Sequence, residues 1–527
     1  MKVLVSDRLP AEALAKLEAT EGLRVDYSPG LEPDELKAHL ADAKGIIIRS
    51  GTTLDADALE AAPQLRFIAR AGVGVDNIDV PAASRRGIIV MNTPGGNTLS
   101  TAEHTMALLL ALSRNVYPAC ASLKAGKWDR KQFMGTQLAG KTIGVIGLGR
   151  IGLEVARRAA AFRMTVLGRD PYVTEERAKQ HQVTLVEDLD EIYAKADYIT
   201  VHVPITDDTR GMIGTDQFAV MKDGVKLINC ARGGIIDEQA VVEAIRSGKV
   251  AGAAFDVYTA EPPANRELVD LPQVLCTPHL GASTEEAQLN VALEAAEILA
   301  DALLGGRIRN ALNVPAMDPA EAEMLAPYAA LARNLGIFQT QVLSRIPTHV
   351  HITFAGDAAA VSTPLITAHL LAGLLDPVLE EDTNFINAPY LAEERGIRIT
   401  VSTTPHADDF ATLLTMAVVV DGEEHQVAGT LVGKGTPRIV FIDGYRVEAM
   451  TRDTLLVVFA ADKPGLVGSV GQVLGEHGVN IAAMTFGRKS AGGPAITALN
   501  LDGPLDQTTL DAICHVPNVQ KAHVAVF

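Results

Sequence analysis

The chain has 527 residues, of which 48% are hydrophobic and 21% charged, and its formal net charge at pH 7 is -18. This length exceeds what one hydrophobic core supports, so three or four domains are expected. The acidic balance, without a Lys- or Arg-rich block, disfavours nucleic acid and anionic membranes as partners. An anionic substrate would need its own local arginines.

The start of the chain and its cysteines predict a cytoplasmic protein. The sequence MKVLVSDRLP predicts a short strand and lacks the apolar core and cleavage site of a signal peptide. No run approaches the roughly 18 apolar residues of a membrane span. Neither a disulfide framework nor a metal site is predicted, because no C-x-x-C pair is formed by Cys120, Cys230, Cys276 and Cys514.

Short apolar strands alternate with helices over the first 310 residues or so. The predicted strands are KVLVS, GIIIRS, RFIARAG, GIIVMN, TIGVIG, TVLGRD, YITVHVP, KLINCARG, AGAAFDVY and QVLCTP. Strict alternation predicts an α/β fold with parallel sheets covered on both faces. Gly-rich strand ends at 70–77 and 147–152 indicate two doubly wound, Rossmann-like domains. A long helix from Thr284 to about Leu304 closes this region and ends at Gly305-Gly306.

The pattern changes after Asn313, and mixed α+β segments run from there to about Ala449. The remainder, from Thr451 to Phe527, is predicted as strand, Gly-rich turn, helix, two strands, helix and strand. That order is the β-α-β-β-α-β arrangement of ferredoxin-like domains. The fold class predicted is therefore two α/β domains, an α+β domain and a ferredoxin-like domain.

The segment GLGRIG carries the signal for a dinucleotide. Gly147, Gly149 and Gly152 follow an apolar strand and open a helix, which is the context of a G-x-G-x-x-G phosphate loop. The motif alone is equally compatible with an ordinary Gly-rich turn. Asp170 supports the nucleotide interpretation, because it ends the next strand, where a carboxylate binds the ribose hydroxyls and favours NAD over NADP. Arg169 beside it could weaken that preference.

Three polar segments, 229–234, 259–263 and 278–282, follow strands of the second unit, where open α/β sheets bind ligands. Oxidation of a 2-hydroxy acid needs a cation for the carboxylate, a base for the hydroxyl proton and a carboxylate to orient that base. Arg232, His279 and Glu261 have these properties. Each residue alone is more typical of a structural or solvated role than of a catalytic one, and their joint position behind the nucleotide loop favours catalysis. Gly72-Val73-Gly74 has no third glycine and is predicted to be a substrate-side turn.

The motifs GLGRIG, NCARGGIIDE, AAFDVYTAEPP and TPHLGAST resemble those of the D-isomer-specific 2-hydroxy acid dehydrogenases, and the resemblance covers essentially the whole chain. It implies that Arg232 anchors the substrate carboxylate and carbonyl, that His279 is the acid/base and that Glu261 is its partner. Within that family, the sequence resembles the branch that oxidises 3-phosphoglycerate to 3-phosphohydroxypyruvate, the first step of phosphorylated serine synthesis.

The resemblance also implies the binding residues. The NAD site would be formed by Gly147, Gly149, Arg150, Ile151, Gly152, Asp170, Val203, Cys230, Ala231, Arg232, Asp256, His279, Gly281 and Ala282. The substrate site would be formed by Arg49, Arg70, Val73, Gly74 and Asn97. Arg49 and Arg70 would supply positive charge for a phosphorylated acid, although each is also typical of ordinary surface charge.

The domains implied by the resemblance are a discontinuous substrate domain (1–96 and 285–312), a NAD domain (97–284), an intervening regulatory domain (313–449) and an ACT domain (450–527). Arg130 and Lys131 would lie at a dimer interface within a homodimer or homotetramer. The ACT domain would bind L-serine as an inhibitor through Asp462 and Asn480, or serve only in assembly.

Two alternatives stay open. The first keeps the chemistry and changes the substrate to glyoxylate, hydroxypyruvate or 2-oxoglutarate, although a plain glyoxylate reductase would not need the last 200 or so residues. The second is a dinucleotide-sensing interaction protein that keeps the fold for partner binding.

Overall fold

The computed structural model describes residues 1–264, 266–306, 308–314, 319–343, 345–379, 383–407, 409–420 and 422–527, and these form four β-sheets. The first sheet is parallel, with strand order β2-β1-β3-β4-β5. Its strands are β1 (Lys2–Val5), β2 (Arg24–Tyr27), β3 (Gly45–Ile48), β4 (Phe67–Arg70) and β5 (Ile89–Asn92). Its helices are α1 (Ala11–Glu18), α2 (Pro33–Leu40), α3 (Ala56–Glu60) and α4 (Val80–Arg85). Helices on both faces explain why β3 and β5 are buried along their whole length and, apart from Asn92 at the end of β5, carry no polar side chain.

The second sheet is also parallel, with the order β12-β11-β10-β9-β6-β7-β8. Its strands are β6 (Thr142–Ile146), β7 (Thr165–Arg169), β8 (Thr184–Leu185), β9 (Tyr198–Val201), β10 (Val225–Asn229), β11 (Val250–Phe255) and β12 (Val274–Cys276). Its helices are α5 (Thr98–Ser113), α6 (Val116–Lys124), α7 (Arg150–Ala161), α8 (Glu175–Gln180), α9 (Leu189–Lys195), α10 (Thr215–Val220), α11 (Glu238–Arg246) and α12 (Arg266–Val269). The strand order reverses between β6 and β9, so the ligand crevice of such a sheet opens there, beside the Gly-rich loop.

Helix α13 (Glu285–Gly305) brings the chain back to the first sheet. Thr284 caps its N-terminus by accepting a hydrogen bond from the Ala287 N–H, and Gly306 ends it in the left-handed conformation. The helix packs against α1, β3 and β4. The first sheet and its helices form a first body, which is built from segments that precede and follow the second sheet in the chain. The second sheet and its helices form a second body. The domain boundaries predicted from the sequence stay predictions.

The third sheet is mixed and has the order β14-β13-β15-β16-β17-β18. Its strands are β13 (His349–Gly356), β14 (Arg398–Thr404), β15 (Thr412–Val420), β16 (Glu423–Val432), β17 (Thr436–Ile442) and β18 (Tyr445–Met450). Its helices are α14 (Pro319–Leu343), α15 (Thr363–Leu375) and α16 (Ala388–Glu394), with 3-10 turns at Asp357–Ala360 and Asp376–Val378.

The fourth sheet is antiparallel, with the order β20-β21-β19-β22. Its elements are β19 (Thr454–Ala461), α17 (Leu466–Glu476), β20 (Ile481–Arg488), β21 (Pro494–Leu501), α18 (Gln507–Cys514) and β22 (Val519–Val526). The predicted ferredoxin-like order is confirmed. Leu456 and Val458 face the two helices, whereas Leu455 and Val457 join the core of the third sheet. Because both faces are covered, β19 is buried along almost its whole length.

Two edge strands, β2 and β8, were not among the predicted strands. Both are short, and β2 (RVDY) contains no fully buried residue, so neither has the apolar run by which the other strands were identified. Among the described helices, none is by itself long and apolar enough to cross a membrane; the pair α5 and α6, bent by 63°, meets that test by length and composition alone.

Candidate active site

His279 and Glu261 form a hydrogen-bonded pair at the ends of neighbouring strands. His279 follows β12 and its Nδ1 lies 2.7 Å from Oε2 of Glu261, in the loop after β11. The other carboxylate oxygen, Oε1, accepts the Tyr258 N–H at 3.1 Å. The His279 side chain is half exposed. The ring nitrogen that does not face Glu261 is thus left for a ligand.

Arg232 lies in a turn that is shaped by the buried Asn229 at the end of β10. Asn229 accepts the Ala231 N–H at 3.0 Å and donates to the Arg232 carbonyl at 2.8 Å. The Arg232 Nε lies 3.2 Å from an Asp76 carboxylate oxygen, on the first body of the chain. Arg232 therefore spans the cleft between the two parallel sheets.

The next residue brings the Arg232 and Glu261 loops together. A Cβ at Gly233 would lie 1.9 Å from the Tyr258 carbonyl oxygen, so only glycine allows this approach. Glu238, at the start of α11, adds a second link by accepting from both the N–H (2.6 Å) and the hydroxyl (2.7 Å) of Thr259. The three predicted catalytic side chains are thus carried by loops that support one another.

The Gly-rich loop has the geometry of a phosphate cradle. Gly147 has φ +91°, and its Cβ would lie 2.5 Å from the His202 carbonyl oxygen; a Cβ at Gly152 would lie 1.9 Å from the Gly147 carbonyl oxygen. Gly149 differs, because nothing in the structure lies within 4 Å of its Cβ position. Helix α7 starts directly after it, so free N–H groups face this space. The loop fits a dinucleotide pyrophosphate.

Asp170 follows β7 and braces that loop. Its Oδ2 accepts the Leu148 N–H and its Oδ1 the Tyr172 N–H, both at 2.8 Å. Each oxygen keeps a lone pair for a ribose hydroxyl. Because the carboxylate is tied to the backbone on both sides, it cannot turn away from a 2′-phosphate, which fits NAD better than NADP.

The other predicted cofactor residues line the same crevice or support it. Val203 follows β9 and its Cγ1 would be 2.9 Å from a Cβ at Gly147, while the Arg150 guanidinium lies against Gly95. Cys230 is buried, and burial raises the pKa of its thiol to about 12, so it is not a thiolate nucleophile. Ile151 and Ala231 pack on the hydrophobic cores of the second sheet. Asp256 is fully buried beneath the turn that contains Gly281 and Ala282.

The side chains of the predicted substrate residues Arg70 and Asn97 each contain an unpaired polar atom. Arg70 Nε and Asn97 Oδ1 are buried and have no hydrogen-bond partner among the described residues. Burial, and then the nearby charge of Arg232, lower the pKa of Arg70 to about 10, with Asp76 acting in the opposite direction. Burial and a neighbouring cation both disfavour the charged form of Arg70, and unpaired polar atoms are present at this site. An anionic ligand would stabilise that charge, so the arrangement fits an anion-binding site.

Arg49, Val73 and Gly74 occupy different positions around this site. The Arg49 guanidinium bonds to the side chain of Gln288 on α13 and to the Arg8 carbonyl oxygen at 3.3 Å. The Val73 carbonyl accepts from Asn92 at 2.7 Å, which fixes the turn, and Gly74 lies directly against Arg232. Arg49 is therefore at the rim of the cleft, whereas Gly74 is at its centre.

Four predicted residues lie outside this cleft. Arg130 and Lys131 are exposed in the segment after α6. Asp462 accepts from Arg488 at 2.7 Å and from the Gly492 N–H at 2.9 Å, and Asn480 donates to Asp502 at 2.5 Å. The predicted effector residues are therefore both engaged within the fourth domain.

Sequence reasoning missed three residues that the structure brings to the site: Asp76, His104 and Gln288. His104 lies 3.2 Å from Asp256, and Gln288 donates to the Ala282 carbonyl at 2.7 Å. A signal existed for His104, because Ser100, Thr101 and His104 share one face of a helix that begins directly after the predicted substrate residue Asn97. No local sequence motif marks Asp76 or Gln288.

Three family models match successive parts of the chain. The D-isomer specific 2-hydroxyacid dehydrogenase NAD binding domain matches residues 106–281, the D-3-phosphoglycerate dehydrogenase intervening domain 324–443 and the ACT domain 454–517. D-3-phosphoglycerate dehydrogenase of Archaeoglobus fulgidus is 44% identical over 99% of both chains, and that of Bacillus subtilis is 40% identical over 98% of both.

Solved structures resemble about three fifths of the chain. A glyoxylate reductase from Paecilomyes thermophila is 31% identical, with a TM-score of 0.55 over 59% of this chain and 98% of its own. D-lactate dehydrogenase from Aquifex aeolicus, solved with NAD and lactic acid, is 28% identical, with a TM-score of 0.52 over 60% of this chain and 100% of its own. Each of these neighbours is thus matched over almost its whole length by about three fifths of this chain.

Proposed function

The chain belongs to the D-3-phosphoglycerate dehydrogenase family of NAD-dependent oxidoreductases, and on that basis we propose how its own residues oxidise 3-phosphoglycerate. Gly149 and the start of α7 hold the pyrophosphate of NAD, and Asp170 holds the adenosine ribose. When bound, NAD supplies the acceptor for the hydride that leaves C2 of the substrate. The remaining steps are those of protein side chains.

Arg232 and Arg70 bind the two anionic ends of the substrate. The Arg232 guanidinium pairs with the carboxylate and stays close to the C2 oxygen, where a carbonyl forms. The buried Arg70, with its unpaired Nε, pairs with the phosphate, and Asn97 Oδ1 accepts from a hydroxyl or an N–H group of the bound ligands. Arg49 at the rim adds positive charge. Positioning by these groups lowers the entropic cost of the reaction.

His279 acts as the base. Its Nε2 accepts the proton of the C2 hydroxyl, the C2–H electron pair leaves as hydride, and the C–O bond becomes a carbonyl. The protonated ring then carries a proton on both nitrogens and donates from Nδ1 to Glu261, whose carboxylate stabilises the new positive charge. In the reverse direction the same ring returns the proton.

The single observation that carries this mechanism is the His279–Glu261 contact of 2.7 Å in the cleft that also contains Arg232. His279→Ala is expected to lower kcat by about 10²-fold or more, the usual contribution of general acid–base catalysis, while NADH affinity by fluorescence titration stays within about twofold. Glu261→Gln keeps the shape of the side chain and is expected to lose a smaller factor. Unimpaired turnover in His279→Ala would rule out this role.

The alternatives are distinguished by substrate. Glyoxylate, hydroxypyruvate and 2-oxoglutarate have no phosphate for Arg70, so we expect a lower kcat/KM for each than for 3-phosphohydroxypyruvate. A non-catalytic dinucleotide sensor is disfavoured, because Arg232, Glu261 and His279 are all present and converge. NADH oxidation with these four acids under identical conditions tests both points.

Self-association is supported by an apolar surface on the second body. Helix α6 has no buried residue, and Tyr117, Trp128 and Met134 are 66%, 76% and 82% exposed in and after it. Such a patch is typical of an interface. We assign it to contact between two copies of the NAD domain in a homodimer or homotetramer, with Arg130 and Lys131 at its edge. Light scattering on Trp128→Glu tests this assignment, since dissociation is expected.

L-serine binding by the fourth domain needs two copies of the chain. Asp462 precedes α17 and Asn480 follows it, and a helix of 11 residues is about 16 Å long. One small amino acid cannot touch both ends. The serine site that we propose therefore combines Asp462 of one copy with Asn480 of another. We assign the intervening domain to regulation and propose no ligand for it.

Location in the cytoplasm stays a prediction. Cys120, Cys230, Cys276 and Cys514 are all free thiols. A reducing compartment keeps such thiols reduced, which supports this location.

A further inference from the structure

The catalytic histidine stands in an unusual backbone conformation. His279 has φ +55°, in the left-handed region, which is strained for a residue with a side chain. Its surroundings must therefore impose the conformation. The His279 N–H donates to the Asp256 carbonyl at 2.9 Å, and the next two N–H groups, of Leu280 and Gly281, donate to the Asp256 carboxylate at 2.7 and 2.8 Å. One aspartate thus holds three successive N–H groups.

The carboxylate that holds this turn is itself buried. Asp256 is 0% exposed, and an isolated charge in such a place is costly. Its Oδ1 also accepts from the Thr277 hydroxyl at 2.6 Å and from His104 Nε2 at 3.2 Å. Burial acts to raise the pKa of Asp256, but His104, Thr277 and the Leu280 N–H outweigh it and hold that pKa below its ordinary value. Among the described residues bonded to this carboxylate, His104 is the one that can carry positive charge.

Helix α5 clamps the same turn from the other side. The hydroxyls of Ser100 and Thr101 donate to the Gly281 carbonyl at 2.8 and 3.2 Å. His104 lies one turn further along, on the same face of the helix. The turn after β12 is therefore held between Asp256 and two side chains of α5, Ser100 and Thr101, while His104 of the same helix bonds to Asp256.

We propose that His104 is a positioning residue for the reaction, which acts through Asp256 to keep His279 aligned with Glu261. The inference rests on the proposed role of His279. The Nε2–H of His104 supplies a hydrogen bond that a buried Asp256 needs to stay ionised and to keep accepting from Leu280 and Gly281. Without this donor the turn loosens, and the chemical step slows while substrate affinity is retained.

His104→Leu, His104→Gln and the control Glu103→Leu test the proposal in the full-length enzyme. Gln retains an N–H donor, and Glu103 is the exposed neighbour on α5, where the same new side chain enters solvent. We expect His104→Leu to lower kcat by about 10- to 100-fold, as misplaced catalytic groups do, with KM for 3-phosphoglycerate within about twofold. The isotope effect with C2-deuterated 3-phosphoglycerate should rise, because hydride transfer becomes rate-limiting. His104→Gln should recover most of kcat, and Glu103→Leu should match the parent.

Three results would overturn the proposal. They are a His104→Leu enzyme with kcat within twofold of the parent, a loss that only follows the unfolded fraction measured by circular dichroism, and a His104→Gln enzyme as slow as His104→Leu. His279→Ala is measured in parallel. If that variant is fully active, the proposed function fails; if it is inactive while His104→Leu is normal, only this inference fails.

Discussion

The guanidinium of Arg232 lies directly against Gly74, a residue of the other parallel-sheet body. A Cβ at Gly74 would be 2.0 Å from Arg232 Nη2. Glycine is therefore needed at this point so that the two sides of the cleft can meet around the arginine that we assign to the substrate carboxylate.

Gly74→Ala is expected to displace Arg232 without unfolding the protein, because the clash involves the far end of a flexible side chain. We expect kcat/KM for 3-phosphoglycerate to fall about 10-fold or more, as for the loss of a charge-assisted hydrogen bond, with an unchanged melting temperature. Gly305→Ala is the control, because nothing lies within 4 Å of its Cβ position and its backbone, like that of Gly74, is not left-handed. Equal losses of activity in both variants would show that the effect of Gly74→Ala does not come from its contact with Arg232.

Two glycines of the phosphate loop, Gly149 and Gly152, should respond differently to alanine. Gly149→Ala meets no protein atom, so the fold is retained while the new methyl group occupies pyrophosphate space and raises KM for NAD. Gly152→Ala would place its Cβ 1.9 Å from a backbone oxygen and should destabilise the domain by about 1–3 kcal/mol or more. Calorimetry together with NADH titration separates the two effects. If NADH binding were unchanged in both variants, that result would argue against the assigned pyrophosphate site.

Arg70→Ala tests phosphate recognition. Because Arg70 stays charged well above neutral pH and is buried, its loss should raise KM for 3-phosphoglycerate about 10- to 100-fold, with KM for NAD unchanged. The exposed Arg85→Ala of the same domain is the control. Oxidation of D-glycerate, which has no phosphate, should be little affected, and an equal loss for both acids would show that Arg70 does not bind the phosphate.

Stability should fall in mild acid because of His202. The Nδ1 atom of this ring, which follows β9, is buried without a hydrogen-bond partner among the described residues, and burial lowers the pKa of His202 to about 4. The unfolded chain takes up the proton below about pH 6.5, so protons favour unfolding as the pH falls from about 6.5 to 4, by about 3 kcal/mol in total. Calorimetry of His202→Gln should show a flatter dependence of melting temperature on pH in this window. The exposed His477→Gln should leave the slope unchanged, and an unchanged slope in His202→Gln would refute the assignment.

The two-copy serine site predicts complementation. Asp462→Asn and Asn480→Ala should each abolish L-serine binding, whereas hybrid oligomers made by co-expression of the two variants should regain binding at part of their sites. Isothermal titration measures the number of sites. Hybrids that bind no serine, although the parent enzyme does, would contradict the shared site.

Much of this molecule was predictable from the sequence, because the signals are local. The alternating strands and helices, the long helix before Gly305 and the ferredoxin-like order at the C-terminus all follow from patterns within one or two elements, and the fold class is confirmed. The cofactor loop and the residues Arg232, Glu261 and His279 lie in short motifs at strand ends. In a parallel sheet, strand ends meet at one edge, so the motifs alone place these residues near one another.

Only the tertiary structure decided which distant residues support them. Asp76 reaches Arg232, Gln288 bonds to Arg49, and His104 bonds to Asp256. These contacts depend on how helices pack on sheets and how two bodies close around a cleft, which no local pattern records. The edge strands β2 and β8 were missed for the same reason, because pairing with a neighbouring strand defines them. Local motifs thus predicted the cofactor and the catalytic residues that we propose, and packing determined which distant residues support them.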